Sequence, residues 1–563
     1  MPNPPRLYLA WFLLGSFGII WLGNDASSAD VNARNHGSPL RAEHEGRIID
    51  SVVIENRNIY DTESDHYRHF VFEWANRLHY KTRAYVVGRE VLLRPGAEFS
   101  IVLAEETARN LRQRLPLFDA WVETRELSNG HLLVRVVTVD TWSLTVGLSA
   151  NRDANETRYR VSLAERNLAG NNQYLAADYV VQSTDDNFFV GRFRDSRVLG
   201  QPIAFEVSYG DDPLSSYRQL SLGHPFYNRL QTYMYHLTIG STGGRHEVHR
   251  DNVKIAWSGL KGDLFSAQGA FRFGPYLRKV EISSRYLYRF NQSFDEEIWQ
   301  DATSQDTLLA AASLPEDSVY HQFGLAVRLS NLKFAELQRI DGFNYTEDFV
   351  LGQALHFGVA RAMSANLREH IFDFIDGGIS LGGGRGRGVA LLTYHRAFWF
   401  RGARDIRRTA RLTMQYYQHA TNILTIAMQA NYQSDDRSTE SSPLSIGGVD
   451  DIRGYERFFQ SGNRKASSTI EGRFYPGLEI LSVLFGGAVF VDAARAWDVN
   501  ERITLKGVYF SVGLGLRIAL ARGAKDWLVR VDFAYAERTG WRISIGGAQY
   551  FRSQADSFLL TTR

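Results

Sequence analysis

The residue best placed to do chemistry in this sequence is an arginine in a glycine-rich segment. Arg453 lies in Gly447-Gly448-Val449-Asp450-Asp451-Ile452-Arg453-Gly454-Tyr455, where Gly448 and Gly454 permit tight bends of the backbone. A guanidinium that leaves water needs carboxylate partners, because a desolvated charge is costly unless it is paired. The segment therefore predicts a site of charge pairing rather than a catalytic centre.

Two acidic residues downstream are the predicted partners of Arg453. Glu471 lies in Ile470-Glu471-Gly472-Arg473-Phe474, and Asp492 lies in Phe490-Val491-Asp492-Ala493-Ala494. Because successive side chains of a strand point to opposite faces, both acids belong to the polar face and their apolar neighbours to the other. We predict that Arg453 bridges Glu471 and Asp492 and pins its loop to a wall of strands. In the alternative, the loop is a surface loop with a solvated arginine, and such pairs contribute only ~0–1 kcal/mol.

Residue patterns of known enzymes are sparse in the sequence. His370, His395 and His419 have no useful spacing to a serine, and H-E-x-x-H does not occur. G-x-S-x-G occurs once, at 378–382, but it is followed by a glycine-rich run without helical periodicity, so it lacks the strand-to-helix turn that exposes a serine nucleophile. The run 382–388 is rich in glycine but lacks the Lys-Ser/Thr of a phosphate-binding loop. The chain has no cysteine, which excludes disulfides and thiolate metal sites. We therefore expect that the protein is not an enzyme and that it binds no metal and no cofactor. The alternative is an outer-membrane hydrolase, which hydrolysis of phospholipid by the purified protein would support.

The elements that must position these residues are short strands with clean alternation. In 510–520 and in 527–535, apolar side chains share one face and small or charged side chains share the other. A soluble sheet and a membrane barrel both give this pattern. Aromatic residues at strand ends favour the barrel, as does the lack of a later apolar run long enough for a spanning helix. We predict an all-β antiparallel transmembrane barrel of about 16 strands over 141–551, followed by a tail over 552–563.

The N-terminus indicates the compartment. Residues 1–29 combine Arg6, an apolar stretch and small residues ending at Ala29, which predicts a cleaved signal peptide; an uncleaved anchor is the alternative. Residues 30–45 are polar and form a predicted linker. The net charge of +2 is too small to attract the phosphate backbone of a nucleic acid, so we expect no nucleic-acid partner.

Residues 46–140 predict a small α+β domain. Ile48 to Ile54 has the pattern of a strand, 64–78 that of a helix, and a second helix is predicted from about Phe99. Two further strands, 120–126 and 131–139, flank a turn that contains Asn129-Gly130. The predicted order is β-α-α-β-β.

Taken together, these features resemble the BamA/TamA superfamily of outer-membrane insertases and secretion transporters. The unit 46–140 resembles a POTRA domain, the segment 447–455 resembles the family's inward-folded loop, and the strand motifs at Glu471 and Asp492 are similar to those that come after this loop, with Ala494 in place of the usual Gly. The resemblance implies a bacterial outer-membrane location with the N-terminal domain in the periplasm. It implies unfolded outer-membrane or secreted polypeptides and outer-membrane lipid as partners, with periplasmic chaperones or lipoproteins as further candidates.

The barrel must close where its first and last strands meet. We predict this lateral seam between 142–149 and 541–551, formed by Trp142, Leu144, Ile545, Gly546, Gly547 and Phe551. Because glycine weakens strand packing, we expect the seam to open and admit client strands. The predicted function is insertion or export of client polypeptide, with a two-partner secretion transporter or a passive pore as alternatives.

Overall fold

The computed structural model describes residues 40–153, 156–183, 186–250, 253–298, 317–437, 444–448, 451–501, 507–525 and 527–553. The predicted signal peptide, most of the linker, Val449, Asp450 and the tail beyond 553 lie outside these residues. The described chain forms an N-terminal α+β unit followed by a closed barrel.

The N-terminal unit packs helices on one face of a three-stranded sheet. Its elements are β1 (Ile49–Arg57), α1 (Phe70–Leu78), α2 (Ala84–Gly88), α3 (Ile101–Arg114), β2 (Leu117–Glu126) and β3 (Leu132–Asp140). The sheet order is β1-β3-β2, with β3 parallel to β1 and antiparallel to β2. Alternate side chains of β3, namely Leu132, Val134 and Val136, are fully buried and belong to the same core as Leu111 of α3. The strands agree with the prediction. Helix α2 lies between the two predicted helices and is an addition to the predicted order β-α-α-β-β.

The barrel contains 20 strands among the described residues, with antiparallel register between successive neighbours from β4 round to β25. They are β4 (Leu144–Asp153), β5 (Glu156–Glu165), β6 (Gln173–Gln182), β7 (Phe188–Asp195), β8 (Ala204–Asp212), β9 (Ser215–His224), β10 (Tyr233–Arg250), β11 (Val253–Phe273), β12 (Arg278–Ile298), β13 (Ser318–Leu337), β14 (Glu347–Ser364), β15 (His370–Arg385), β16 (Gly388–Arg401), β17 (Arg404–His419), β18 (Leu424–Arg437), β21 (Arg464–Ile480), β22 (Val483–Trp497), β23 (Tyr509–Leu520), β24 (Leu528–Ala536) and β25 (Gly540–Gly546). The short pair β19 (Leu444–Ile446) and β20 (Gln460–Gly462) lies in the loop between β18 and β21.

The fold class predicted from the sequence is confirmed, but the estimate of about 16 strands was too low. Several turns are short, and β4 to β9 have only 8 to 10 residues each. Only Gly386 and Arg387 separate β15 from β16, and only Gly402 and Ala403 separate β16 from β17. Less of the chain therefore lies in loops, and the same length forms more strands.

The outer face of the barrel is an apolar belt. On β23, Val512, Leu514 and Leu516 are exposed, whereas Ser511 and Arg517 on either side of them point to the other face and are buried inside. The same alternation recurs on β13, where Leu325, Val327 and Leu329 face outward. Such a surface is stable in contact with hydrocarbon, which is the pattern of a barrel that faces lipid. Among the described residues, no helix is long and apolar enough to cross a membrane.

The N-terminal unit covers one mouth of the barrel, which we call the proximal end. Nine turns lie at this end, and polar contacts join the unit to seven of them within the described chain, at Asn167, Arg197, Arg229, Tyr276, Thr346, Ser482 and Lys525. The other two turns, β15–β16 and β17–β18, are neighbours along the rim. The unit is therefore docked under most of the rim rather than hanging from a flexible linker.

Helix α3 provides the strongest of these contacts. Arg112 is buried and donates to both carboxylate oxygens of Asp348, the second residue of β14, and to Glu336 at the end of β13. Burial alone would lower the pKa of Arg112, but these carboxylates hold the pKa well above its ordinary value. Nearly two helical turns earlier, Glu106 accepts from the backbone N–H of Arg229 at 2.9 Å.

Removing the Arg112 side chain should loosen the docked unit. Arg112→Ala leaves the buried carboxylate of Asp348 without its cation, and breaking such a pair costs about 3–5 kcal/mol. We expect faster proteolytic cleavage in the connection 141–143 of the detergent-solubilised protein, measured as the rate at which the N-terminal unit is released. Arg135→Ala removes an exposed pair with Glu123 and should leave the rate unchanged. Equal rates for the two variants would contradict the assigned role of Arg112.

Candidate functional site

The glycine-rich segment folds into the barrel from the distal end, opposite the N-terminal unit. It belongs to the loop between β18 and β21, and the N–H of Gly448 donates to the carbonyl of Tyr455 at 3.0 Å, which closes the tip. Gly447 has φ 114°, and a Cβ there would lie 1.8 Å from the carbonyl oxygen of Glu456. Gly454 has φ 89°, and a Cβ would meet the methyl of Ala536 on the barrel wall at 3.0 Å. These positions therefore require glycine because the loop turns sharply against β24.

Arg453 makes the contacts predicted for it. The residue is only 1% exposed, and its guanidinium forms a two-point pair with Asp492, with Nε and Nη2 at 2.8 and 2.7 Å from the two carboxylate oxygens. Nη1 donates to Oε1 of Glu471 at 2.7 Å. The backbone N–H of Arg453 also donates to Asp492, at 3.2 Å. The loop is thus fixed to β21 and β22 through both the side chain and the backbone.

Aromatic rings cover both flat surfaces of the same guanidinium. Its central carbon lies 3.4 Å from the ring centroid of Phe490 and 3.8 Å from that of Tyr550. Carboxylates along the edge and rings on the faces together replace the water that Arg453 loses. Tyr550 comes from the chain beyond β25, so the C-terminal region completes the site.

The charged cluster is larger than the sequence predicted. Asp532 on β24 lies 3.3 Å from Arg453 and 2.6 Å from Arg517. Arg473, Arg517 and Arg530 also belong to the cluster, and with Asp341 it contains four arginines and four carboxylates, so it is neutral overall. Alternation could have identified Asp532, Arg473 and Arg517, since each lies on the polar face of its strand, but alternation alone does not tell which polar residues meet.

The apolar residues of the loop pack on the same wall. Ile452 is fully buried in a cluster with Ala494, Ala496 and Ala536. The methyl of Ala494, where the family motif has glycine, is accommodated in this cluster. Tyr455 donates from its hydroxyl to the carbonyl of Phe510 at 3.0 Å. All described residues of the predicted loop motif therefore contact the barrel wall or shape the turn.

Arg473 binds two segments that enter the barrel and is linked through Glu471 to a third, the loop that carries Arg453. Its Nε donates to Glu471 at 2.9 Å, its Nη1 to the carbonyl of Ile340 at 2.5 Å, and its Nη2 to the carbonyl of Phe551 at 2.9 Å. Ile340 belongs to the proximal loop between β13 and β14, and Phe551 belongs to the C-terminal segment. The distal loop, the proximal loop and the C-terminal segment thus meet at one buried charge cluster.

The predicted seam needs two corrections. The last strand ends at Gly546 instead of Phe551, and Phe551 is buried inside the barrel near Tyr417. The first strand begins at Leu144, and Trp142 precedes it. The chain leaves the sheet at Gly547 because the buried arginines bind the next residues of the chain. Gln549 accepts from Arg517, and Tyr550 and Phe551 lie over Arg453 and Arg473.

The other predicted seam residues lie on the closing strands. Leu144 on β4 and Ile545 on β25 both face outward, and Gly546 is the last residue of β25. Every other pair of neighbouring barrel strands has a register of Cα partners, whereas β25 and β4 are hydrogen-bonded neighbours in the closed barrel without such a register among the described residues. At the proximal end, the N–H of Trp142 donates instead to the carbonyl of Arg522 at 2.7 Å. Among the described residues, the seam is therefore the strand boundary of the barrel with the least backbone pairing.

The histidines considered from the sequence have ordinary partners. Nε2 of His395 and of His356 both contact Asp376, His370 contacts Asp373, and His419 contacts Thr425. Within the described ranges, no group of three or more His, Asp or Glu residues is arranged to hold a metal ion.

Comparison with known proteins gives similarity in structure only. No protein-family model and no curated protein sequence matches the chain. Among solved structures, it is similar to BamA from Haemophilus ducreyi lacking POTRA domains 1–3, with a TM-score of 0.39, 11% identity, and coverage of 88% of this chain and 83% of that one. For CdiB from Acinetobacter baumannii the TM-score is 0.43 and the identity 11%, with coverage of 89% of this chain and 73% of that one. For CdiB from Escherichia coli the TM-score is 0.44 and the identity 10%, with coverage of 90% of this chain and 75% of that one.

All three TM-scores are below 0.5, and the architecture is established by the strand pairing described above.

Replacing Arg453 should destabilise the barrel interior. Arg453→Ala leaves Glu471 and Asp492 buried beside an uncompensated gap, a loss of about 3–5 kcal/mol. We expect the folded form to lose its fast migration in SDS gels at a lower temperature. Arg453→Lys keeps the charge without the planar fork and should fall between the native protein and the Ala variant. Arg361→Ala removes an exposed pair with Asp373 and is the control; a matching shift there would argue against a special role for Arg453.

Tyr550 provides a second test of the cluster. Its hydroxyl is buried and has no hydrogen-bond partner among the described residues, so its ring rather than its hydroxyl contributes to the site. We expect Tyr550→Phe to keep or slightly raise the unfolding temperature, and Tyr550→Ala to lose about 3 kcal/mol through the cavity that it leaves. Thermal unfolding of the purified barrel measures both. A larger loss in the Phe variant than in the Ala variant would show that the hydroxyl is the important group.

Proposed function

We propose that the chain is an outer-membrane protein of the BamA/TamA type, which passes client polypeptide into the membrane at the seam between β4 and β25. The observation that carries this proposal is the weak pairing at the seam. A strand edge with unpaired backbone groups is a template for another strand. In hydrocarbon the need for a partner is stronger, because no water is present to bond the free groups.

The filled interior supports a lateral route over a route through the pore. Three segments meet at the arginine cluster, and the N-terminal unit covers the proximal mouth. Export through the lumen requires these segments to leave, which breaks several buried ion pairs at once. Among the described residues, opening the seam breaks the contacts between β25 and β4 and the hydrogen bonds that Thr141 and Trp142 donate to the carbonyl of Arg522, but no buried ion pair between these strands.

The N-terminal unit is suited to receive an extended client. Its sheet has two edge strands, β1 and β2, and an edge strand can accept a further strand by backbone hydrogen bonding. In this proposal the unit acts as a POTRA-like domain in the periplasm. Strand pairing and burial of apolar surface drive insertion, so no nucleotide or metal is needed.

Crosslinking the seam tests the proposal. The chain has no cysteine, so Ile545→Cys on β25 can be combined in turn with Leu144→Cys, Val146→Cys or Leu148→Cys on the outward face of β4, and the pair that oxidises to a disulfide is used. A matched control uses Leu514→Cys with Phe533→Cys, which are Cα partners on the outward face of β23 and β24.

We expect the oxidised seam variant to lose activity, with recovery on reduction, while the control stays active in both states. The measurement is the census of outer-membrane proteins in cells that depend on each variant. Full activity of the crosslinked seam would contradict lateral insertion. Loss of one secreted protein alone, with the outer-membrane census unchanged, would assign the chain to export of a single client.

A further inference from the structure

Helix α1 presents an apolar face that nothing in the described chain covers. Phe70, Trp74 and Leu78 are 63, 60 and 64% exposed and recur every four residues, which places them on one side of the helix. Val71 extends the same face, and Tyr80 comes just after the helix with 70% exposure. Large apolar side chains grouped in this way mark an interaction surface.

The opposite side of α1 fixes the helix to the rim of the barrel. Phe72 is buried against Tyr60 and Tyr67, with ring centroids 4.8 and 5.1 Å away. The Tyr60 hydroxyl lies 2.8 Å from the hydroxyl of Ser482, and the Tyr67 hydroxyl donates to Glu479 at 3.2 Å. Both partners lie at the turn between β21 and β22. The helix therefore has a fixed position at the proximal rim, and Trp142, beside the seam, packs against the same cluster.

The rim at this point continues the apolar belt of the barrel. Leu478, Ile480 and Leu481 at the turn between β21 and β22 are each more than half exposed. The surface that faces lipid thus extends down to the turn that holds α1. This continuity distinguishes α1 from a helix that projects freely into water.

Basic side chains lie at the C-terminal end of the helix. From Phe70 to Tyr85 the sequence contains three exposed basic residues, Arg77, Lys81 and Arg83, and one acidic residue, Glu73. Acidic residues lie on the other side, before the helix, so the segment 61–85 as a whole has no net charge from Asp, Glu, Lys and Arg. Aromatic residues with basic side chains beside them are typical of helices that lie in the interface of a bilayer.

We propose that α1 is an interfacial helix that inserts Phe70, Trp74 and Leu78 into the membrane leaflet at the proximal end, next to the seam. The partner is the surface of the lipid bilayer. This inference is independent of the proposed function, because it needs only a barrel in a bilayer. It gives the N-terminal unit a second attachment, to lipid, in addition to its contacts with the turns.

Site-specific labelling tests this proposal on the full chain. A polarity-sensitive fluorophore is attached to a single cysteine at Leu78→Cys, in vesicles of phosphatidylethanolamine and phosphatidylglycerol that contain brominated acyl chains. Leu355→Cys on the outward face of β14 is the positive control, and Ser128→Cys in an exposed turn of the N-terminal unit is the control in water. Fast migration in SDS gels confirms that each labelled barrel is folded.

We expect the label at Leu78 to shift to the blue and to be quenched by the brominated lipid, as at Leu355, while the label at Ser128 keeps its emission. Adding Trp74→Glu to the Leu78 variant should reverse most of the quenching, since a carboxylate then lies on the inserted face. Unquenched emission at Leu78 in a folded barrel would overturn the proposal. Shielding of the label by added periplasmic protein, without lipid quenching, would do the same and would assign the face to a protein partner.

Discussion

A charged side chain removed from water must be neutralised where it lies, and in this barrel that constraint acts on Arg453. Its guanidinium is paired by carboxylates from three strands, β21, β22 and β24, and enclosed by two rings. Because the penalty for leaving any of these charges unpaired is several kcal/mol, the strands, the loop and the aromatic residues have to keep one arrangement. The other arginines of the cluster must be paired with carboxylates in the same way, and with them the cluster is neutral overall. The interior is therefore specified by electrostatics as much as by shape.

A barrel of 20 strands encloses more space than the side chains of its wall can fill, and this chain fills part of it with backbone. Backbone brought into a lumen needs hydrogen-bond partners, and the arginines provide them. Arg473 binds carbonyls of both the proximal loop and the C-terminal segment while it pairs with Glu471. The cluster thus has two roles, since it neutralises its own charges and satisfies segments that would otherwise have unpaired carbonyls. Losing one arginine would affect segments that enter from opposite ends of the barrel.

The sequence predicted the parts of this arrangement that depend on local periodicity. Alternation placed Glu471 and Asp492 on the inner face, and the two glycines around Arg453 indicated a loop that could reach them. The path of residues 547–553 could not be predicted, because an aromatic residue that ends a barrel chain has the same pattern whether it lies in the last strand or inside. Its inward position depends on Arg453 and Arg473, which are distant in sequence. The exposed face of α1 was missed for a related reason: a helix with apolar residues on two sides gives no indication of which side is covered.

The position of the charge cluster also bears on where the proposed opening of the barrel would occur. The strands that carry it, β21 to β24, are joined to one another by long registers and by buried ion pairs, either directly or through Arg453, so opening between any two neighbours breaks both kinds of contact. The C-terminal segment is drawn into the lumen by the same cluster, and this removes from the sheet the residues that would have lengthened β25. Strand β4 consequently has a short partner, and Leu148 on it is among the most exposed leucines of the belt. Stability is unevenly distributed in proteins, and local opening occurs at the least-supported contacts. The interactions that make one wall rigid therefore leave the seam as the strand boundary where the proposed opening would break the fewest contacts.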